Sequence, residues 1–171
     1  MDVLFAPWRL RYVSGGEGSG GGACIFCEAY RSGDDRRSLT LWRWERTFAL
    51  LNRYPYTSGH AMIAPVAHRG SPLELDEATL GELMIRARTV MRAIERVYRP
   101  DGFNIGINVG EAGGAGIRDH VHLHVVPRWR GDTNFVTVTG EVRVVPESLE
   151  AAHEKLVRAI GEVVGEEAAR G

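Results

Sequence analysis

Half of the chain's six histidines fall in one run of seven residues, His120-Val121-His122-Leu123-His124-Val125-Val126. Side chains alternate between the two faces of a strand. His120, His122 and His124 therefore project to one side, and Val121, Leu123 and Val125 to the other. The apolar row suits burial under a helix. Three neighbouring imidazoles have no apolar use, so the histidine row faces a ligand, a metal or water. Near neutral pH imidazole serves as nucleophile, proton carrier or zinc ligand. Strand spacing does not separate these uses.

Two other groups bear on the same chemistry. Cys24 and Cys27, the only cysteines, form a Cys24-Ile25-Phe26-Cys27 pair. In a reducing compartment that spacing points to metal or redox use over a structural disulfide. A redox pair usually opens a helix in a βαβ setting, which this sequence does not show; inert thiols are the remaining alternative. Leading into the histidine run is a glycine-rich turn, 110–116, with Asn108 at its mouth. Its glycines let backbone N–H groups from Gly113 to Gly116 approach an anion closely.

These residues need a scaffold. With 171 residues, 44% hydrophobic and 25% charged, the composition is that of one globular domain with a sizeable core. The expected division is an N-terminal arm and Gly-rich loop over 1–23, a core over 24–146 and a C-terminal helix over 147–171. Net charge is −1, so no basic field argues for nucleic acid or anionic membrane as partner. No apolar run approaches the roughly 20 residues that span a bilayer. The start, with Trp8, Arg9 and Arg11, lacks the apolar core of a secretory signal. A cytoplasmic protein is expected.

Leu80, Leu83, Met84, Ala87, Val90, Met91, Ile94 and Val97 recur at helical spacing between an Asp76 cap and Pro100. A second helix is predicted from about Glu147, with Leu149, Ala152, Leu156, Ile160 and Val163 on one face. Strands are predicted over 47–51, 60–65, 103–109 and 121–127, the last two as a hairpin around the glycine loop. A further hairpin is predicted over 135–139 and 142–145. Sequential strand pairs with two dispersed helices predict an α+β fold: an antiparallel sheet of about five strands with two main helices.

The histidine run matches the H-φ-H-φ-H-φ-φ signature (φ apolar) of the histidine triad (HIT) family of nucleotide hydrolases and transferases. Phe48-Ala49-Leu50-Leu51-Asn52, Gly59-His60, Ile63-Ala64-Pro65 and residues 104–110 resemble the segments such proteins carry at these places. Ala6-Pro7-Trp8-Arg9 together with the cysteine pair looks like the bacterial branch of diadenosine tetraphosphate hydrolases and phosphorylases.

The resemblance implies a HIT-like fold and a two-fold homodimer. It implies that His122 attacks the α-phosphate of an adenosine-containing substrate, foremost a dinucleoside polyphosphate such as diadenosine tetraphosphate, to form a nucleotidyl-histidine. His124 and His60 then contact the phosphates, Asn108 with Gly114, Ala115 and Gly116 line the phosphate cradle, and Asn52 hydrogen-bonds the ribose. Relatives that carry zinc place a histidine where His68 stands and use the first triad histidine as fourth ligand. The implied structural zinc site is Cys24, Cys27, His68 and His120.

One departure stands out. Relatives commonly carry Gly-Gln-Ser or Gly-Gln-Thr just before the triad, whereas here the run is Gly113-Gly114-Ala115-Gly116-Ile117-Arg118-Asp119. Alignment from either end puts Ala115 or Gly116 at the glutamine, so the side-chain amide is missing. Phosphorolysis therefore stands beside hydrolysis as an alternative, with Arg118 either holding a phosphate or simply solvated. A non-catalytic, zinc-stabilised nucleotide-binding module is the alternative from a different class.

Overall fold

The computed structural model describes residues 23–132 and 147–170. The expected arm and Gly-rich loop, and the hairpin predicted over 135–145, lie outside the described residues. Among those described are four α-helices and one five-stranded antiparallel sheet. They run α1 (Ile25–Arg31), α2 (Asp35–Ser38), β1 (Thr40–Arg43), β2 (Thr47–Leu51), β3 (Ala61–Pro65), α3 (Glu77–Tyr98), β4 (Gly102–Ile107), β5 (Leu123–Arg128) and α4 (Leu149–Ala168). The sheet order is β1-β2-β3-β5-β4, which places β5 between β3 and β4.

Helix α3 begins where predicted: the Asp76 carboxylate accepts from Thr79 N–H at 2.6 Å, satisfying an otherwise orphaned donor. Of its predicted apolar positions, Leu83, Ala87, Val90 and Ile94 are buried, but Met84 is 56% exposed. One residue step turns a helix by about 100°, so Met84 leaves the face that Leu83 buries. Helix α4 starts two residues later than predicted, because the Ser148 hydroxyl accepts from Ala151 N–H at 3.2 Å and caps it there. Strand β1 was not predicted. It is four residues long, interrupted by a bulge between Thr40 and Trp42, and is held by pairing with β2 and by His153 of α4, whose Nε2–H donates to Thr40 O at 2.8 Å.

Strands β2 and β3 are buried along their whole length, so both faces of the sheet are covered. On one face Ala49, Leu51, Ala61, Ile63, Leu123 and Val125 pack with Leu83, Val90 and Ile94 of α3 and Leu156, Ile160 and Val163 of α4. On the other, Phe48, Leu50, Met62 and Ala64 pack with Phe26 and Ala29 of α1. Alternation sets His122 and His124 on this second face, under the short helix. The apolar row of the histidine run thus lies beneath helices as expected. The imidazole row is more enclosed than expected, with His120 and His122 buried.

The turn from β2 to β3 ends at Gly59, whose φ of +77° lies in the left-handed region and whose hypothetical Cβ would meet the Tyr98 ring at 2.9 Å. Gly59→Ala is expected to cost about 1–3 kcal/mol from backbone strain alone. Urea denaturation of both proteins checks it, and an unchanged midpoint would contradict the expectation.

Candidate active site

Register brings two histidines together. Met62 lies opposite His124 on the β3–β5 ladder, so His60, two residues before Met62, is a diagonal neighbour of His124 on the same face. His60 Nδ1 accepts from Tyr56 N–H at 3.1 Å, so its proton is on Nε2 and is donated to His124 Nδ1 at 3.0 Å. His124 therefore carries its own proton on Nε2. Asn52, at the end of β2, accepts from Tyr54 N–H at 2.9 Å in an Asx turn, with its amide nitrogen 3.5 Å from His60 Nδ1.

His120 and His122 precede the ladder of β5. Their segment is held instead by Val121 N–H, which donates to Arg69 O at 2.6 Å. His122 Nδ1–H donates to His120 O at 2.9 Å, which leaves the lone pair on Nε2. Burial pushes the His122 imidazole below its usual pKa, so the neutral, nucleophilic form is favoured. Phe26 of α1 covers the ring with centroids 4.7 Å apart.

His120 turns the other way. Its Nε2–H donates to Pro65 O at 2.8 Å, and its Nδ1 lies 3.3 Å from Cys24 Sγ and 3.7 Å from Cys27 Sγ. His68 Nδ1 is 3.4 Å from Cys27 Sγ. All four donor atoms lie within 4.8 Å of one another, positioned to hold a metal ion. Tetrahedral zinc at its ordinary bond lengths separates a thiolate sulfur from an imidazole nitrogen by about 3.6 Å, so these spacings fit the group. The Pro65 carbonyl fixes the His120 tautomer that such a ligand needs. Without an ion, burial and the adjoining Cys24 thiol push the Cys27 thiol up; a metal reverses this by binding the thiolate.

The glycine loop closes on itself. Gly114 N–H donates to Glu111 O at 2.9 Å and Ala115 N–H to Gly110 O at 3.1 Å. Two of the amides expected to cradle phosphate thus have partners inside the loop. Asn108 donates to Gly114 O at 3.4 Å, and Arg118 pairs with Glu111 at 2.8 Å. Gly113 sits so near Val109 that a Cβ would lie 2.3 Å from its carbonyl oxygen, which only glycine avoids. Gly116 completes the turn into Ile117, half-buried.

Sequence reasoning missed Phe26, Tyr56 and the Pro65 carbonyl. Phe26 had a signal, its place between the two cysteines. The Pro65 carbonyl and the Tyr56 N–H are main-chain groups that no residue type announces, and the Tyr56 ring, 4.6 Å from that of His60, reaches it only through the fold.

A buried antiparallel sheet with three alternating histidines, one directed to two thiols and one with its lone pair on Nε2, defines a histidine-triad protein. The HIT domain model matches residues 36–131, and the chain belongs to that family. It is 36% identical over 155 residues to the AP-4-A phosphorylase of Mycobacterium tuberculosis, covering 87% of this chain and 79% of that one. It is 30% identical over 99 residues to the bis(5'-adenosyl)-triphosphatase of Dictyostelium discoideum, covering 57% of this chain and 64% of that one. Among solved structures, a Zn-bound histidine triad family protein from Mycobacterium smegmatis superimposes with a TM-score of 0.67 at 26% identity, covering 84% of this chain and 97% of the other.

Proposed function

We propose that the chain is a nucleotidyl hydrolase or transferase that cleaves dinucleoside polyphosphates, such as diadenosine tetraphosphate, at an α-phosphate through a nucleotidyl-His122 intermediate. The observation that carries the reading is the His122 Nδ1–H bond to His120 O at 2.9 Å, which aims an unprotonated Nε2 away from the main chain. That lone pair forms the N–P bond as the P–O bond to the rest of the polyphosphate breaks. His124 donates an Nε2–H hydrogen bond to the departing oxygen, which leaves as the polyphosphate anion. An acceptor oxygen then attacks phosphorus and the N–P bond breaks, returning the lone pair to His122 Nε2; phosphate attacks through an oxygen already deprotonated, whereas a water acceptor releases its proton to solvent.

Asn52 is assigned to the ribose; His60 orients His124. Asn108, Gly114, Ala115 and Gly116 surround the phosphates, with the Gly114 and Ala115 amides shared between loop and ligand. Cys24, Cys27, His68 and His120 would hold zinc, which supplies a cross-link between α1 and the triad segment and no chemistry on the substrate. The single-domain reading of 1–171 belongs with this assignment, as does a cytoplasmic location where thiols stay reduced. A homodimer through the sheet edge is supported by β4, whose Ile105 is 40% exposed, with Val109 beyond its end 45% exposed. Neither nucleic acid nor membrane is assigned as a partner: the net charge is −1, and no helix among the described residues is long and apolar enough to cross a membrane.

Phosphate is favoured over water as acceptor by two observations. The loop before the triad has no side-chain amide, and the chain resembles an AP-4-A phosphorylase. Diadenosine tetraphosphate incubated with orthophosphate is expected to yield ADP and ATP; with water as acceptor it yields AMP and ATP. Mass analysis of products with and without phosphate distinguishes them. AMP as sole partner of ATP at saturating phosphate would reject phosphorolysis, and no cleavage under either condition would reject the assignment.

A further inference from the structure

The cysteine pair carries more than two sulfurs. Phe26, between Cys24 and Cys27, is fully buried, and its ring lies against both His120 (centroids 5.1 Å apart) and His122 (4.7 Å, planes inclined by 34°). One turn at the start of α1 thus presents two candidate metal ligands and, from between them, an aromatic face to the nucleophile. The His122 ring is also held by its bond to His120 O, at 2.9 Å, and meets the His124 ring edge-on with centroids 4.8 Å apart. A ring pinned by one hydrogen bond retains rotation about that bond; a packed aromatic face removes it.

We propose that Phe26 is a positioning residue for His122, and that the cysteines flanking it couple metal loading to alignment of the nucleophile. This rests on the assignment of His122 made above. A metal ion held by Cys24 and Cys27 immobilises the turn that bears Phe26, and held by His120 it fixes the residue whose carbonyl orients His122. The Phe26 contact and the His120 bond then both trace to the same ion, while the edge contact with His124 does not. The cross-link would act on catalysis without touching substrate.

Phe26→Leu, which keeps most of the bulk, is the test, with Phe48→Leu in the same apolar cluster as the packing control. Both proteins are purified with their metal, and zinc content and nucleotide affinity are measured first. For Phe26→Leu the expected result is one zinc per chain, an affinity within about threefold of the parent, and nucleotidyl-His122 formation slowed by about tenfold to a hundredfold in rapid-quench experiments. The two-bond 1H–15N spectrum of His122 should change from a single Nδ1–H tautomer to a mixture. Phe48→Leu should leave both readouts as in the parent, and chelator-treated parent should show the mixed His122 spectrum.

A parent-like rate and spectrum in Phe26→Leu would overturn the proposal, as would an equal loss in Phe48→Leu or a Phe26→Leu defect accounted for wholly by zinc lost from that variant. An unchanged His122 spectrum after chelation overturns the coupling to metal. If the parent forms no nucleotidyl-enzyme, the functional assignment fails, and the His122 spectrum alone decides whether Phe26 positions that ring.

Discussion

Replacing His122 with alanine is expected to lower turnover of diadenosine tetraphosphate by at least about 10,000-fold, while nucleotide affinity changes by less than about tenfold. The expectation follows from what the other residues can do alone. His124, His60 and the loop supply donors and positioning; His120 and His122 each have a lone pair fixed by a main-chain acceptor, but that of His120 faces the two thiols, which leaves His122 as the nucleophile. Without it the two-step route through a covalent intermediate closes, leaving only direct attack by a poorly activated acceptor. His124→Ala should be milder, about 100-fold to 10,000-fold, since it removes a hydrogen-bond donor to the departing oxygen and leaves the nucleophile. Rapid quench of the parent with labelled substrate should trap one nucleotidyl group per active chain, and His122→Ala should trap none. Turnover surviving in His122→Ala would reject the mechanism. Tight nucleotide binding by a parent that never becomes labelled would favour the non-catalytic binding module.

The second large effect concerns the metal. Protein purified without added metal should contain about one equivalent of zinc, and Cys24→Ser should lose it. The ion would join α1 to the segment before β5, adding a cross-link to the packing of Phe26 and to the Val121 N–H bond to Arg69 O where α1 has no side-chain cap and His120 lies outside the ladder. A ligand held at about 1,000 times its Kd stabilises the fold by about 4 kcal/mol. For a chain of this size that is about 8–16 °C in Tm. Differential scanning calorimetry of parent, Cys24→Ser and chelated parent measures it. Less than half an equivalent of zinc with both thiols freely titratable, or a Tm indifferent to chelation, would sink the assignment. Because the apolar core under α3 and α4 is independent of this corner, the chain should remain folded at room temperature after zinc loss.

The long elements were legible because their signals are local. Alternating residues mark β5, a short apolar run marks β2, and a capped amphipathic stretch marks α3 almost to the residue. Strand β1 was not legible: four residues with a bulge have no period long enough to read, and it exists because β2 and His153 pair with it. Met84 was assigned to the core on spacing alone, and packing left it outside.

By itself the sequence determined that three imidazoles share one side of one segment, that two thiols stand at metal-ligand spacing, and that a glycine loop leads into the site. It did so because strand period and chain spacing are properties of neighbouring residues. Tertiary structure decided how the three imidazoles differ. His120 reaches Cys24 and Cys27, more than 90 residues away, and finds the Pro65 carbonyl on its other nitrogen. His122 is roofed by Phe26, and His124 is polarised by His60 across the β3–β5 register. Which nitrogen carries a proton depends on those distant partners, and only the folded chain brings them within hydrogen-bonding range.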